Sequence, residues 1–472
     1  MQKKMINSPN PRWAIFLAIA VFTVYVYYLP RYAFPEIWGN IYCVYYMCLI
    51  PILIAFTLYF RRLNEPMEIK LILIFWGWVF ITRLLNGDYY LTKDADMVIN
   101  TGMIYVFLVA CIALKGKSRD RFLDWISIIT AVFYTLVALV CLYAVLFRKE
   151  LYNPFTGDEM CGFMDIFRLT IFTKNPNNCC MWFFLAFFML VYLFSRKKSV
   201  LWRVAIITAA ALNYVILGMT FSRNGMLAFS LCIGLLVVML LLSHFPAKTL
   251  VKKLLVTTAV LCLVVPLAYK SFSVTAIAMN SVSAALVQGK VSTELTNTTA
   301  EQDDAQASYN DRGEDSEEEG MYIDDRGFED SGRIDIFKSI IPTMQQEPMR
   351  LLRGCLCLDV MKISNTVLPK WKPHFHNTFL QLFCLTGVLG LGLVLAFCLL
   401  LAIRIIRLFY SDAALSVKAL TLILIGSFSY NMLEVSLFVS ADIPAFATYI
   451  VAGAVLAYSY ETKAAENKQR TI

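Results

Sequence analysis

Charged side chains are scarce in this sequence. Only 16% of the 472 residues are Asp, Glu, Lys or Arg, against 59% hydrophobic, where a globular protein carries about a quarter charged residues. That excludes an ordinary soluble domain and predicts a polytopic membrane protein. A cleavable leader is also missing. The first apolar run, Trp13 to Leu29, is long enough to span a bilayer and has no small-residue cleavage site after it, so it reads as an uncleaved helix. A cysteine framework is absent too. Most of the 13 cysteines lie inside apolar runs (among them Cys43, Cys111, Cys232 and Cys384), where they act as small hydrophobes. No spacing suggests a zinc site or a disulfide scaffold. Cys161, Cys355 and Cys357 read as outward-facing, where a disulfide could form.

What is present is a series of apolar segments of spanning length. They fall at about 13–29, 41–60, 69–85, 97–114, 122–147, 177–195, 201–220, 225–242, 251–269, 376–402, 418–438 and 442–459, each near the ~20 residues a helix needs to cross a bilayer. The expected fold is therefore an all-α integral membrane protein with about twelve transmembrane helices. Residues 1–269 carry helices 1–9, residues 270–373 form one large extracytoplasmic loop, and residues 374–472 carry helices 10–12.

Lys and Arg set the orientation. With the N-terminus inside, the cytoplasmic connections hold 23 basic residues and the outer ones, long loop aside, only eight. The positive-inside rule then puts both termini in the cytoplasm and the loop outside. The net charge of +8 hides an uneven distribution: the loop holds 11 Lys/Arg and 17 Asp/Glu, a net of −6, so the rest of the chain is +14. That surplus lies in short inter-helix loops, so it is no footprint for nucleic acid. Within the loop, residues 280–332 are polar and acidic and have too little apolar area to offset chain entropy. From Arg333 to Met349 apolar residues return at near-helical spacing, with Pro342 placed to bend the helix.

Three places could carry chemistry. Arg223 lies in Thr220-Phe221-Ser222-Arg223-Asn224-Gly225, a short outer turn that opens the next helix. It is either a snorkelling helix-end arginine or an anion ligand, since helix N-termini attract anions and the guanidinium fork suits phosphate oxygens. Arg333, in Ser331-Gly332-Arg333, is either a surface partner of Asp330 or Asp335 or a second anion ligand. His376 lies where the loop re-enters the membrane, in Pro373-His374-Phe375-His376-Asn377. It can serve as a base near neutral pH, as a helix cap, or with His374 as half of a metal pair. No nearby Cys or carboxylate cluster completes a zinc set. Gly387 and Gly390 beyond it allow close helix approach.

In their order and topology these motifs resemble the bacterial O-antigen ligase and polysaccharide polymerase family. The Thr-x-Ser-Arg turn at 220–223, the loop-helix arginine at Arg333 and the His376-Asn377 signature followed by Gly387 and Gly390 all match its pattern. The sequence departs from it at Leu385, where members often have glutamate, and at Arg353-Gly354-Cys355-Leu356-Cys357, a degraded glycine-rich segment. The resemblance implies a metal-independent and cofactor-free glycosyltransferase in a bacterial plasma membrane. Its donor would be a polyprenyl-diphosphate-linked oligosaccharide and its acceptor a glycan, with membrane lipid around it and a chain-length regulator as a further partner. His376 would be the general base, Arg223 and Arg333 would hold the diphosphate, and Asn377, Ser222 and His374 would support them. A polymerase is the first reading. A ligase that moves finished glycan to a lipid A core or another envelope acceptor is the second. A flippase, which should show internal repeats and midplane charges, and a non-catalytic assembly protein are readings of other classes.

Overall fold

The computed structural model describes residues 11–28, 66–86, 91–152, 157, 159–164, 168–172, 175–245, 249–298, 340–342, 344–356, 375, 377–432, 434–435, 437–438 and 443–469. Helices dominate them: α1 (Pro11–Tyr28), α2 (Met67–Leu85), α3 (Leu91–Ala113), α4 (Lys117–Phe147), α5 (Pro176–Arg196), α6 (Val200–Met219), α7 (Arg223–His244), α8 (Leu250–Thr298), the short α9 (Pro348–Arg353), α10 (Thr378–Tyr410), α11 (Leu415–Asn431) and α12 (Ile443–Gln469). Each expected span overlaps a helix except 41–60, which lies outside the described residues, and the span at 418–438 is helical only as far as Asn431. Among the described residues, six helices (α4, α5, α6, α7, α8 and α10) are long and apolar enough to cross a membrane.

Apolar residues cover the outside of the bundle as well as its core. Trp125, Leu136, Trp202, Leu255, Leu263 and Leu399 are all more than half exposed. Water would not tolerate so continuous an apolar surface, but a bilayer solvates it. Inside, α5 is the central post, packed against α4, α6 and α11. Its Phe183, Phe184 and Phe188 are fully buried. Small residues set the closest approaches, as expected where lipid removes the usual hydrophobic drive and packing must hold helices together. A Cβ on Gly426 of α11 would fall 2.9 Å from Phe184 Cε1, and one on Gly453 of α12 would fall 3.1 Å from the Cα of Leu108 in α3.

Two features depart from the sequence expectation. The connection from α4 to α5 contains a three-stranded antiparallel sheet, β1 (Leu151–Tyr152), β2 (Glu159–Met164) and β3 (Arg168–Ile171), in the order β1-β2-β3. Cys161 pairs with Leu151 on one side and Ile171 on the other. Buried Cys161, Leu169 and Ile171 hold this sheet against the bundle, so strands satisfy the backbone groups of a connection too irregular for a helix. The second departure is α8, which runs on from position 269 to Thr298 as one helix despite Pro266. The cysteines differ as well. Cys161 and Cys355 are buried rather than outward-facing. Cys161 Sγ is 3.9 Å from Cys141 Sγ, a contact and not a bond. Cys357 lies outside the described residues.

Charged groups gather at one end of the bundle. Arg404 donates to Glu68 at 2.8 Å, Arg119 pairs with Glu461 at 2.5 Å, and Arg196 pairs with Asp124 at 2.7 Å. The opposite end holds the turn between α6 and α7 and the start of α10.

Candidate active site

The turn between α6 and α7 is tightly determined. Thr220 donates its hydroxyl to Leu217 O at 2.7 Å, closing the last turn of α6. Phe221 takes a left-handed backbone at φ 48°, an uncommon conformation for a bulky residue that the surrounding packing must hold in place. Ser222 is then the N-cap of α7, accepting from Gly225 N at 3.3 Å. Arg223 follows as the first helical residue and is exposed. Gly225 lies directly against α5, where a Cβ would be 2.9 Å from Cys180 Cβ and inside the volume of its sulfur.

Below Arg223 a chain of polar side chains crosses the bundle. Ser222 Oγ donates to Asn177 Oδ1 at 2.8 Å, and Asn177 Nδ2 donates to Glu434 Oε1 at 2.6 Å. Asn177 sits in the first turn of α5, behind the N-cap Asn175 and Pro176. Glu434 lies in the turn after α11 and is 2% exposed. Its main-chain oxygen accepts from Thr378 Oγ1 at 2.9 Å.

Thr378 begins α10, and Asn377 is its N-cap, accepting from Leu380 N at 2.9 Å. Asn377 Nδ2 also donates to Met432 O at 2.7 Å. The cap is thus made by Asn377. Phe375 is fully buried, and its N–H donates to Gln381 Oε1 at 3.2 Å. The α11–α12 turn is fixed by Asn431, whose Oδ1 accepts from Thr378 Oγ1 and from Leu437 N, each at 2.9 Å.

Farther along, α10 kinks at Gly387, which has φ 66°. A kink orphans helix carbonyls, and here α2 captures them. Arg83, buried, donates to Leu385 O and to Cys355 O, the latter at 2.8 Å. Trp78 Nε1 donates to Thr386 O at 2.8 Å. The end of α9 presses against the kink. A Cβ on Gly387 would be 2.7 Å from Arg353 N, and Gly354, at φ 79°, meets the Leu385 and Thr386 backbone in return. Both glycines of the expected pair therefore allow close approach: Gly387 faces the α9 backbone, and a Cβ on Gly390 would be 3.1 Å from Trp78 Cδ1. Gly354 is the glycine that the degraded segment retains.

Of the residues singled out from sequence, Ser222, Arg223 and Asn377 come to one end of the bundle and are linked through Asn177, Glu434 and Thr378. Arg333, His374 and His376 lie outside the described residues. Asn177 and Glu434 went unnoticed in the sequence. The available signal was a lone acid inside the apolar run 418–438, since an ionisable residue in a membrane segment marks function by default.

Residues 208–395 match the family model described as O-antigen ligase. Over this segment, 188 of the 472 residues, the chain is similar to that family. The match takes in the Arg223 turn, α7, α8 and the first half of α10, and so most of the site end. O-antigen ligase family members are glycan-transferring enzymes of lipid-linked glycan and acceptor substrates, and the bundle makes this one a multi-pass membrane protein. No curated protein and no solved structure matches the chain.

Proposed function

We propose that the protein is a polysaccharide polymerase acting on a polyprenyl-diphosphate-linked glycan at the extracytoplasmic face. The observation that carries this reading is the placement of Arg223. It is an exposed cation at the first residue of a capped helix, inside the O-antigen ligase match, with the start of α10 at the same end of the bundle. A helix N-terminus and a guanidinium together favour a diphosphate.

In the reaction an acceptor hydroxyl oxygen attacks the anomeric carbon of the donor glycan. The bond from that carbon to the diphosphate oxygen breaks, and the lipid diphosphate leaves with the electron pair. His376 takes the hydroxyl proton as general base. Arg223 and Arg333 hold the diphosphate and stabilise charge on the departing oxygen. Ser222 and Asn377 fix the two helix starts, and His374 supports His376. No metal and no cofactor enters the step.

The lipid tail has a path on the same helix. An apolar groove of about 500 Å³ opens between α5, α6, α7 and α8, lined by Phe187, Tyr214, Phe229, Ile233 and Leu267. At 1.5 Å rise per residue, Phe229 and Ile233 lie about 9 and 15 Å along α7 from Arg223. A diphosphate at the arginine would lead its isoprenoid chain into that groove.

The family description, ligase, favours a second reading, in which finished glycan moves to a lipid A core or other envelope acceptor. Reconstitution of the purified protein with a radiolabelled polyprenyl-diphosphate oligosaccharide tests both. A ladder of products is expected. A single transfer to an added core acceptor would favour the ligase, and absence of transfer with either acceptor would overturn both.

A further inference from the structure

We propose that Glu434 is a positioning residue for Arg223, acting through Asn177 and Ser222. This rests on the reading of Arg223 as the donor-phosphate ligand. The argument is one of hydrogen-bond direction. An ionised carboxylate can only accept, while a carboxamide has one accepting and one donating end. Glu434 Oε1 accepts from Asn177 Nδ2, so the Asn177 amide is held in a single orientation with Oδ1 toward Ser222. Ser222 must then spend its hydroxyl hydrogen on Asn177. Its lone pairs are left for the N–H of Gly225, which is the cap of α7. Buried acceptor-only chemistry at one end of the chain thereby sets the polarity of the turn at the other, and Arg223 is the next residue after that cap.

This accounts for glutamate rather than glutamine at a position 2% exposed. A buried carboxylate is costly to desolvate, and a glutamine would supply an acceptor at lower cost. Glutamine could also turn its own donor toward Asn177, however. The amide would then flip and donate to Ser222 Oγ, so that oxygen would be shared between Asn177 and Gly225 N and the cap would weaken. The side chains of Thr378 and Asn377, donating to the main-chain oxygens of Glu434 and Met432, fix the turn from the other side, so the α10 start and the arginine turn share one anchor.

The test is steady-state transfer by the full-length reconstituted protein, together with amide hydrogen exchange in the first turn of α7. Glu434→Gln should raise the donor KM about fivefold, the scale of losing a helix cap, with kcat changed less than twofold. Exchange at Gly225 should speed up in parallel. Glu434→Ala should raise KM further. In a Ser222→Ala background, where the chain is already cut, Glu434→Gln should add nothing. An unchanged donor KM in Glu434→Gln would overturn the proposal. So would additivity with Ser222→Ala, or a collapse of kcat at constant KM, which would make Glu434 a proton carrier. If the wild-type protein transfers nothing, the transferase reading fails, while exchange at Gly225 still decides whether Glu434 orders the turn.

Discussion

Replacing Gly225 with alanine separates stability from activity in this site. Two apolar carbons in contact stand about 3.5–4.0 Å apart, but an alanine Cβ at 225 would fall 2.9 Å from Cys180 Cβ and within the sulfur itself. The first turn of α7 must therefore move away from α5 by roughly 1 Å. Cys180 is fully buried. Alanine gains about 1 kcal/mol over glycine in helix propensity, while overpacking costs about 1–3 kcal/mol, so the net loss of stability is small. Activity should respond far more, because a misplacement of about 1 Å in a positioned group costs on the order of 10²-fold. Gly225→Ala should thus melt within a few degrees of the wild type yet lose about a hundredfold in transfer of a labelled lipid-linked glycan. Cys180→Gly removes both the sulfur and the Cβ, so the double variant should recover much of the lost rate. Near-normal transfer by Gly225→Ala would refute the reasoning, as would a double variant no better than the single.

Other substitutions probe the remaining parts. Arg223→Ala should weaken donor use strongly, and Arg223→Lys should restore it only in part, because a point charge cannot reproduce a bidentate fork; donor KM in the reconstituted assay measures both. Gly387→Ala puts a side chain at φ 66° and ψ −170° against the α9 backbone and should destabilise the protein by several degrees in a thermal melt, since this essentially glycine-only conformation alone costs about 1–3 kcal/mol. For topology, a cysteine placed at position 310 should react with an impermeant maleimide in intact cells, with any outer membrane permeabilised, and one at position 198 should not. The reverse pattern would put the arginine turn on the wrong face.

The helical frame was legible because runs of about twenty apolar residues have few alternatives in a bilayer. The Arg223 turn was legible because Ser222 and Arg223 stand at the junction of two such runs, where a cap and a cation stand out. Other features were hidden for physical reasons. Glu434 sits inside an apolar run, so a window average absorbs it, and only the fold shows that α11 ends at Asn431 and that the acid lies beyond. Asn177 reads as one more residue of a helix start until Ser222 and Glu434 are placed on either side of it. The kink at Gly387 depends on Arg83 and Trp78, some three hundred positions away, to take up its carbonyls. The strands at 151–171 are too short for a period-two signal to rise above an apolar background.

The central claim is transfer of a lipid-linked glycan with His376 as base, and turnover by His376 variants in the reconstituted system tests it most directly. His376→Ala should stay inserted and lose transfer by about 10²–10⁴-fold. His376→Gln, which can hydrogen-bond but not accept the proton at neutral pH, should be lost to a similar degree. Near-normal turnover in His376→Gln would contradict the base mechanism, and near-normal turnover in His376→Ala would contradict the site.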